Sequence, residues 1–485
     1  MSFLDPALWS GKVHTGTWTA GAAGTLAVRE SATGEVLGEI GVASGDQARA
    51  AAATAAAAQR GWAALKPAER AAVLRRAAAL FEEHAAEIED WIVRESGGTR
   101  TKARTEIAAA IAECHEAAAL PTHPHGEVLT SNKDRWSIAR RRPAGVVTVI
   151  APFNFPLTLS IRSVAPALGL GNAVLLKPDP RTSVSGGVVL QRVFDAAGLP
   201  AGVLQTLPGG ADVGEAVVAA PEVRIISFTG STPAGRRVGE AAARHLKRAH
   251  LELGGNNAIV VLPGADVQRA ASAGAFGSFL HQGQICMAAG RHLVHESLHD
   301  EYVAALAAKA DALRVGDPFR EDVQLGPIID ERQLKNIDGI VQDTVLAGAE
   351  VAAGGTHDGP FYRPTVLTGI RRGMRAWEEE IFGPVAPVLA FSDVAEAAEL
   401  VNASEFGLSV GILGEVGAAM GLADLIGTGK VHINEQTVSD EANAPFGGTG
   451  ASGTGSRFGG AAANLEAFTE TQWVTLRPEI EQYPF

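Results

Sequence analysis

The stretch GVVTVIAPFNFPLTLSIRSVAPALGLGNAVLLK, residues 145–177, decides the fold of this 485-residue chain. Residues 145–150 are a short, β-branched apolar run that predicts a buried strand. Residues 157–169 predict a helix, and residues 173–177 predict a second strand. A strand, a helix and a strand in this order are typical of a parallel sheet.

The alternation continues beyond this stretch. Residues 184–197 and 231–245 predict helices, and residues 203–207 and 224–228 predict strands. This pattern favours a doubly wound parallel sheet, which binds its ligands at the carboxyl ends of its strands. A second alternating block begins near residue 258, so we expect an α/β fold with two α/β domains.

The amino-terminal region predicts other elements. Residues 1–45 predict short strands and turns, and Asp46 is expected to cap an alanine-rich helix. A further helix is expected from Pro67 to about residue 94.

Two features near the carboxyl end are also informative. The segment 447–460 holds seven glycines, which by composition alone suggests a flexible linker. Phe446 and Phe458 bracket most of this run, so we expect a closely packed backbone instead. Residues 470–476 predict an edge strand.

Composition excludes several classes of protein. The chain is 46% hydrophobic and 20% charged, which excludes a largely disordered protein, and two cysteines exclude a disulfide scaffold. The net charge of −13 argues against nucleic acid as a partner. No segment predicts a membrane span or a signal peptide, so a cytoplasmic location is expected. The thirteen histidines show no ligand spacing with cysteine, so no metal is expected.

Cys286 is the candidate nucleophile, in the stretch HQGQICMAAGR, residues 281–291. A single cysteine is more often a small buried hydrophobe, and Cys114 in an alanine-rich helix fits that interpretation. Cys286 differs because Gly283 and Gly290 flank it, which predicts a flexible turn that exposes the thiol and presents backbone N–H groups. A thiol at its ordinary pKa of about 8.5 would need activation near neutral pH.

Two polar residues follow or end predicted strands. Glu252, in LELGG (251–255), is either a solvated strand-end carboxylate or a general base whose pKa is raised by apolar neighbours. Asn154, in APFNFP (151–156), is either a turn-forming residue or an amide donor for a developing oxyanion. The stretch FTGSTPAGR (228–236) lacks a G-x-G-x-x-G fingerprint, yet it presents a helix amino terminus that suits a phosphate.

Together these motifs resemble the aldehyde dehydrogenase superfamily. The motifs that carry the resemblance are PFNFP (152–156), LLKPDPRT (175–182), FTGSTPAGR (228–236), LELGG (251–255), GQIC (283–286), EEIFGP (379–384) and PFGG (445–448). They occur in the order and spacing of that family and cover essentially the whole chain.

The resemblance implies roles for individual residues. Cys286 would attack the aldehyde, the Asn154 side chain and the Cys286 backbone N–H would hold the oxyanion, and Glu252 would activate water against the thioester. Lys177 would contact the adenosine ribose, Ser231 the pyrophosphate and Glu380 the nicotinamide ribose. The other implied cofactor contacts are Ala151, Pro152, Phe153, Pro180, Gly230 and Phe382.

The cofactor is expected to be NAD or NADP. Many NAD-preferring members of the family carry an acidic residue where this chain has Pro180, so nothing at that position would repel a 2′-phosphate. Lys177 and Arg181 flank it and could pair with such a group, which predicts that both cofactors are used within about 30-fold. An inward Asp179 carboxylate would instead restore a clamp on the ribose.

The substrate is expected to be an aromatic aldehyde. KPDPRT (177–182), Arg162 and the run 445–460 resemble the bacterial benzaldehyde dehydrogenases, with vanillin, salicylaldehyde or aliphatic aldehydes as alternatives. The implied substrate pocket comprises Phe153, Phe155, Ile285, Met287 and Phe446. A cysteine-dependent hydrolase, a CoA-acylating enzyme and a non-catalytic protein with this fold are the remaining alternatives.

The resemblance also implies a three-part organisation. A Rossmann-type cofactor domain would comprise residues 1–122 and 143–251, and a second α/β catalytic domain would comprise residues 252–466. Residues 123–142 and 467–485 would form a β arm that crosses to another subunit of a homodimer or homotetramer.

Overall fold

In a computed structural model that describes residues 2–485, the alternating pattern forms two seven-stranded sheets with helices packed against them. Met1, the first residue of the predicted cofactor domain, lies outside the described residues. The α-helices are α1 Pro6–Trp9, α2 Gly45–Ala64, α3 Pro67–Glu83, α4 Ala85–Ser96, α5 Arg100–Ala119, α6 Pro156–Gly169, α7 Val189–Ala196, α8 Ala211–Ala219, α9 Thr232–Arg244, α10 Val267–Phe279, α11 His299–Ala312, α12 Glu331–Leu346, α13 Arg375–Glu378, α14 Val394–Asn402, α15 Val416–Ala423 and α16 Gly460–Phe468. The strands are β1 Lys12–His14, β2 Trp18–Ala20, β3 Thr25–Arg29, β4 Val36–Gly41, β5 Gly126–Leu129, β6 Trp136–Pro143, β7 Val146–Ile150, β8 Ala173–Lys177, β9 Leu204–Thr206, β10 Val223–Thr229, β11 Arg248–Glu252, β12 Asn257–Val261, β13 Ala289–His295, β14 Glu350–Ala353, β15 His357–Asp358, β16 Phe361–Tyr362, β17 Thr365–Thr368, β18 Val385–Phe391, β19 Phe406–Gly407, β20 Ser409–Leu413, β21 Lys430–Ile433, β22 Thr449–Gly450 and β23 Thr469–Leu476.

The first sheet has the strand order β11-β10-β7-β8-β9-β1-β2. Strands β7 to β11 pair in parallel, and β1 adds to β9 in the antiparallel sense. Every residue of β7 is buried, as expected for a parallel strand that is covered on both faces. The chain order reverses between β7 and β10, and a doubly wound sheet binds its ligands at such a point. The predicted α/β sheet is therefore confirmed.

Helix α6 begins where β7 and its following turn end. Pro156 occupies its first position, where a missing N–H costs nothing. The Glu106 carboxylate of α5 accepts hydrogen bonds from the backbone N–H groups of Leu157 at 3.0 Å and Thr158 at 3.2 Å. Glu106 forms an ion pair with Lys102, and both side chains are buried. This pair fixes the start of α6 and, with it, the turn that carries Asn154.

The second sheet has the order β14-β17-β18-β13-β12-β20-β21. Its strands are parallel except for β14, which pairs antiparallel with β17 at the edge. The turn that carries Cys286 directly precedes β13, at the centre of this sheet. Glu252 is the last residue of β11 in the first sheet, and an isolated antiparallel bridge joins it to Gly453. The candidate residues thus lie where the two sheets meet.

A third, antiparallel sheet has the order β23-β6-β5. Strand β23 pairs with β6 along its whole length, from Thr469 opposite Pro143 to Leu476 opposite Trp136. Large apolar side chains are exposed on this sheet, namely those of Val128, Trp136, Trp473 and Leu476.

The carboxyl-terminal residues also complete the core under the first sheet. Phe458 and Phe468 are buried in the same apolar cluster as β7 and β8. The Asn172 amide donates to the Phe468 carbonyl at 3.0 Å. Phe446 and Phe458 form an antiparallel bridge across the glycine-rich segment. The predicted close packing of this segment is confirmed.

Two predictions about the amino-terminal helices are wrong. Ser44, not Asp46, caps α2, because the Ser44 hydroxyl accepts from the Gln47 backbone N–H at 3.1 Å and the Gln47 side chain reaches back to Ser44. The helix expected from Pro67 to about residue 94 is divided at His84, which leaves the helical conformation between α3 and α4.

We expect Lys102→Met to destabilise the fold, because it leaves the Glu106 carboxylate buried without its counter-ion. Breaking one side of a buried ion pair costs about 3–5 kcal/mol, and the free energy of unfolding by urea should fall by about 3 kcal/mol. Lys335→Met is the matched control, since Lys335 forms an ion pair with Glu331 at the same spacing on α12, with both side chains exposed. An equal loss of unfolding free energy in both variants would contradict this role of Lys102.

Candidate active site

A cleft of about 440 Å³ opens at the carboxyl ends of β7, β8 and β10. Most of the predicted site residues line it, namely Ala151, Pro152, Phe153, Asn154, Lys177, Gly230, Ser231, Cys286, Glu380 and Phe382. Glu252 lies beside the cleft at the end of β11 and is buried. The structure thus brings together motifs that are more than 200 residues apart in the chain, such as Asn154 and Glu380.

Hydrogen bonds hold the turn before Cys286 in a strained conformation. His281 and Gln282 have φ of 47° and 56°, in the left-handed region that non-glycine residues rarely adopt. The Gln282 side chain donates to the carbonyls of Gly97 at 3.0 Å and Pro327 at 2.8 Å. The Gln284 side chain accepts from the Ile329 backbone N–H at 3.0 Å. The predicted flexibility of this turn is wrong, because buried side chains tie it to two other segments, at Gly97 and at residues 327–329.

Gly283 allows the close approach that this turn requires. Its φ is 64°, and a Cβ at this position would lie 2.1 Å from the Gly383 carbonyl oxygen. The turn therefore packs directly on the segment that carries Glu380 and Phe382. Cys286 emerges from it with a partly exposed side chain, whereas Cys114 is fully buried.

The Cys286 thiol is protonated at rest. Burial and the nearby carboxylates Glu380 and Glu252 raise its pKa to about 11, although the charges of Arg162 and Lys430 act in the opposite direction. A nucleophilic thiolate therefore needs a base to remove the proton.

Glu252 is the candidate for that base, because its carboxyl lies near enough to act on the pKa of the Cys286 thiol. Burial raises the pKa of its carboxyl to about 8. One carboxyl oxygen, Oε2, accepts from the Gly448 backbone N–H at 3.3 Å, and the other, Oε1, is buried without a hydrogen-bond partner. A carboxyl group with this pKa exchanges protons near neutral pH, so the structure disfavours the alternative of a solvated strand-end carboxylate.

The Asn154 side chain links the two sheets. Its Nδ2 donates to the Gln284 carbonyl at 2.9 Å, two residues before Cys286. An amide nitrogen carries two N–H groups, so one fixes the turn and the second is available to an oxygen bound at Cys286. This arrangement suits an oxyanion donor better than a simple turn-forming residue.

Charged groups surround the far end of the cleft. Burial lowers the pKa of the Lys177 ammonium, and the nearby Asp179 charge acts against this effect. Burial acts to raise the pKa of the Asp179 carboxyl, but hydrogen bonds and charge from Arg181 outweigh it and hold this pKa below its ordinary value. Asp179 and Arg181 both line the cleft, whereas Pro180 between them does not.

Arg181 is fully engaged by carboxylates. It donates to Asp179 through Nε and Nη2, both at 2.8 Å, and to Asp330 at 2.6 Å, and its guanidinium lies 4.1 Å from the centre of the Phe153 ring. The Asp179 and Asp330 carboxylates therefore balance the positive charge of Arg181, which was expected to pair with a 2′-phosphate.

The residues of the cleft fit a dinucleotide. Ser231 precedes the amino terminus of α9, which favours a phosphate. Burial raises the pKa of the Glu380 carboxyl to about 7, and its Oε1 accepts from the Gly255 backbone N–H at 3.0 Å. The Phe153 and Phe382 rings pack edge to face with centres 5.9 Å apart, and Phe382 has φ of 52°. The cleft thus offers polar contacts from Lys177, Ser231 and Glu380. The rings of Phe153 and Phe382 add aromatic surface to its lining.

An apolar cluster packs against Cys286, which also lines the cleft. Its buried members are Ile285, Met287, Leu408 and Phe446, with Phe155 and Cys286 packed against them. The predicted pocket residues therefore divide into two groups, because Phe153 faces the cleft and the others form this cluster.

Sequence reasoning missed Lys430, which borders the apolar cluster, and Asp330, which holds Arg181. Neither residue lies in a recognisable motif, and each reaches the site from a distant segment. Among residues 2–485, no group of three or more metal-ligating side chains could hold a metal ion. Over the same range, no helix is long and apolar enough to cross a membrane.

The sequence matches the model of the aldehyde dehydrogenase family over residues 18–474. It is 62% identical to a vanillin dehydrogenase of Amycolatopsis sp., over 100% of both chains. It is 47% identical to a benzaldehyde dehydrogenase (NAD+) of Pseudomonas putida, over 99% of this chain and 98% of the relative. The crystal structure of a salicylaldehyde dehydrogenase from Pseudomonas putida G7 complexed with salicylaldehyde matches with a TM-score of 0.94 and 36% identity, over 98% of this chain and 99% of that chain. The fold expected from the sequence motifs is confirmed.

We expect iodoacetamide to alkylate Cys286 alone in the folded protein. The rate should rise from pH 7 to pH 10, because the pKa of about 11 keeps the thiolate scarce at neutral pH. Intact-mass spectrometry should show one added group in the wild type and in Cys114→Ala, and none in Cys286→Ala. Modification of Cys114 before unfolding, or a rate that does not change with pH, would contradict this assignment.

Proposed function

The chain belongs to the aldehyde dehydrogenase family, and from this premise we propose that it oxidises an aromatic aldehyde to the carboxylic acid with NAD. One observation carries the proposal. Cys286 lines the cleft that suits a dinucleotide, and it also packs against an apolar cluster that suits an aromatic ring. The names of the vanillin and benzaldehyde dehydrogenases to which the chain is similar support the same substrate class.

The reaction begins at Cys286. Glu252 accepts the thiol proton, and the Cys286 sulfur attacks the carbonyl carbon to give a thiohemiacetal. The Asn154 amide and the Cys286 backbone N–H donate to its oxygen. The carbon would then lose a hydride, for which bound NAD would supply the acceptor, and this two-electron oxidation would leave a thioester on Cys286.

Glu252 then completes the cycle. It first releases the thiol proton to solvent and then removes a proton from water, whose oxygen attacks the thioester carbon and displaces the Cys286 sulfur. The displaced thiolate takes that proton from Glu252 as the carboxylic acid leaves. Aldehyde, NAD+ and water thus give acid, NADH and a proton. A carboxylate placed against the thioester favours water over CoA as the acyl acceptor.

The cofactor would be held by Lys177 at the adenosine ribose, Ser231 and Gly230 at the pyrophosphate, and Glu380 at the nicotinamide ribose. Phe153 and Phe382, with the backbone of 151–152, would line its path. Asp179 belongs with these residues, because its carboxylate lies in the cleft beside Lys177. A carboxylate there disfavours a 2′-phosphate, so NAD is the preferred cofactor.

A cysteine hydrolase is less well supported. Such enzymes usually pair the cysteine with a histidine. His281 is near in sequence, but its ring packs edge to face on Phe155, and both its nitrogens are buried without hydrogen-bond partners.

The third sheet supports an oligomer of this chain. Residues 123–142 and 467–485 would form an arm between subunits, and the exposed apolar side chains of Trp136 and Trp473 are the ones a subunit would cover. A homodimer or homotetramer is proposed on this basis. The unpaired state of both cysteines suits a cytoplasmic location.

The deciding experiment measures the oxidation of a panel of aldehydes with NAD, with the absorbance of NADH as the readout. Benzaldehyde and ring-substituted relatives should exceed acetaldehyde at least about tenfold in kcat/KM, because burial of a ring stabilises the bound state. Cys286→Ala should show no activity, and Cys114→Ala should match the wild type. Better turnover of acetaldehyde or of a charged semialdehyde would refute the aromatic substrate.

We expect Glu252→Gln to accumulate the thioester. With an excess of benzaldehyde it should form NADH slowly, because no base removes the Cys286 proton. It should reach at most one equivalent of NADH per site and then stall, because no base activates water. In the wild type, kcat should rise with pH through about 8, since the raised pKa keeps the Glu252 carboxyl protonated below that value. Glu405→Gln, an exposed carboxylate in an ion pair with Arg236, is the control and should turn over normally. Normal steady-state turnover by Glu252→Gln would remove this residue from the mechanism.

We expect the wild type to prefer NAD over NADP, and Asp179→Asn to reduce that preference at least about tenfold. The substitution keeps an oxygen for the Arg181 hydrogen bonds but removes the charge that opposes a 2′-phosphate. The measurement is kcat/KM for each cofactor with one aldehyde, and Asp322→Asn, exposed and paired with Arg314, is the control. An unchanged ratio in Asp179→Asn would show that another group selects the cofactor.

A further inference from the structure

Two cationic side chains border the apolar cluster beside Cys286. The Arg162 guanidinium lies 4.2 Å from the centre of the Phe446 ring, and the Lys430 ammonium lies 4.6 Å from the same centre. Phe446 is buried among Ile285, Met287 and Leu408. An aromatic ring bound against Phe446 near Cys286 would therefore lie beside two positive charges.

Lys430 is held in place by neutral groups. Its Nζ donates to the Met287 sulfur at 2.8 Å and to the Ser439 carbonyl. Among residues 2–485, no carboxylate oxygen lies within 4.0 Å of this ammonium. Its side chain comes from β21, at the edge of the second sheet, and Met287 follows the nucleophile directly. An ammonium in these surroundings has the capacity to donate a further hydrogen bond to an anion.

Arg162 is also incompletely satisfied. Its Nη2 donates to the Asp440 carboxylate, and its side chain is only 5% exposed. Its Nη1 is buried and has no hydrogen-bond partner. A buried donor without an acceptor is costly, and a ligand that supplies the acceptor removes that cost.

The local charge balance favours an anionic ligand. Arg162 and Lys430 contribute two positive charges, and Asp440 directly neutralises one of them. The Glu113 carboxyl also acts on Arg162, but burial raises its pKa to about 7 and so reduces its negative charge near neutral pH. The remaining carboxylates that act on Lys430 are those of Glu252 and Glu435, and burial lowers the pKa of the Lys430 ammonium to about 8. Burial also raises the pKa of Glu252, which reduces its negative charge near neutral pH.

We propose that Lys430, with Arg162, binds an ionised oxygen substituent on the aromatic ring, so that the enzyme selects aldehydes bearing a phenolic hydroxyl group. This inference rests on the proposed function and deepens it. An aldehyde group conjugated with a phenol makes the hydroxyl more acidic than that of tyrosine, whose pKa is about 10. The two cations then receive the phenolate oxygen while Phe446 packs on the ring.

The first test compares 4-hydroxybenzaldehyde with 4-methoxybenzaldehyde, which has the same ring and oxygen but cannot ionise. The wild type should favour the hydroxy compound in kcat/KM. Lys430→Met should reduce this ratio at least about tenfold, chiefly through KM, because a charge-assisted hydrogen bond is lost. Lys335→Met, an exposed lysine on α12, should leave the ratio unchanged.

The second test needs no turnover. A bound phenolate absorbs at longer wavelength than the neutral phenol, so Cys286→Ala mixed with 4-hydroxybenzaldehyde at about pH 6 should develop the phenolate band. The same titration with Cys286→Ala/Lys430→Met should show at least about tenfold weaker binding. Lys430→Gln replaces Lys430→Met in both tests if the methionine variant does not fold.

Two outcomes would overturn the inference. If Lys430→Met lowers kcat/KM equally for the hydroxy, methoxy and unsubstituted aldehydes, Lys430 acts on Cys286 and does not bind the ring substituent. Binding of 4-hydroxybenzaldehyde to Cys286→Ala without a phenolate band would show that no anion is held. If the wild type oxidises no aldehyde, the proposed function fails, and the absorbance titration still decides whether this site binds a phenolate.

Discussion

The hydrogen bond from the Asn154 amide to the Gln284 carbonyl is the contact on which the site depends. It joins the turn after β7 of the first sheet to the turn before β13 of the second. The Lys102–Glu106 pair fixes one end of this link through the start of α6, and Gln282 fixes the other through Gly97 and Pro327. Because both ends are buried, the nucleophile and its oxyanion donor keep one geometry.

Burial keeps most groups around Cys286 neutral at rest. It raises the pKa values of Cys286, Glu252 and Glu380 together, so thiol and carboxyl groups coexist there with little repulsion. Negative charge appears when the Glu252 carboxyl loses its proton, and it passes to the Cys286 sulfur or to the oxygen of water when the Glu252 carboxylate takes a proton from that group. The cleft end at Asp179 is different, since its carboxylate and the Arg181 guanidinium compensate each other as ions.

The sequence alone predicted the elements that depend on short-range patterns, such as runs of β-branched residues and recognisable motifs. The first sheet follows from β-branched runs such as 146–150, and the core motifs around Asn154, Glu252 and Cys286 lie together as the family resemblance implies. The break at His84 and the cap at Ser44 depend on single backbone and side-chain contacts that periodicity does not record. The engagement of Arg181 by Asp330, 149 residues away, and the approach of Lys430 to Phe446 are tertiary contacts that no motif encodes.

The position of Phe458, Phe468 and β23 sets the order in which this chain can fold during synthesis. The core beneath β7 and β8 lacks these two aromatic rings, and β6 lacks its partner along its whole length, until residues 458–476 have been synthesised. The core beneath the first sheet therefore stays incomplete while the more than 200 residues between β8 and Phe458 are added, at about 5–20 residues per second. Loss of residues 458–476 would therefore remove two aromatic side chains from the core beneath the first sheet and the partner strand of β6.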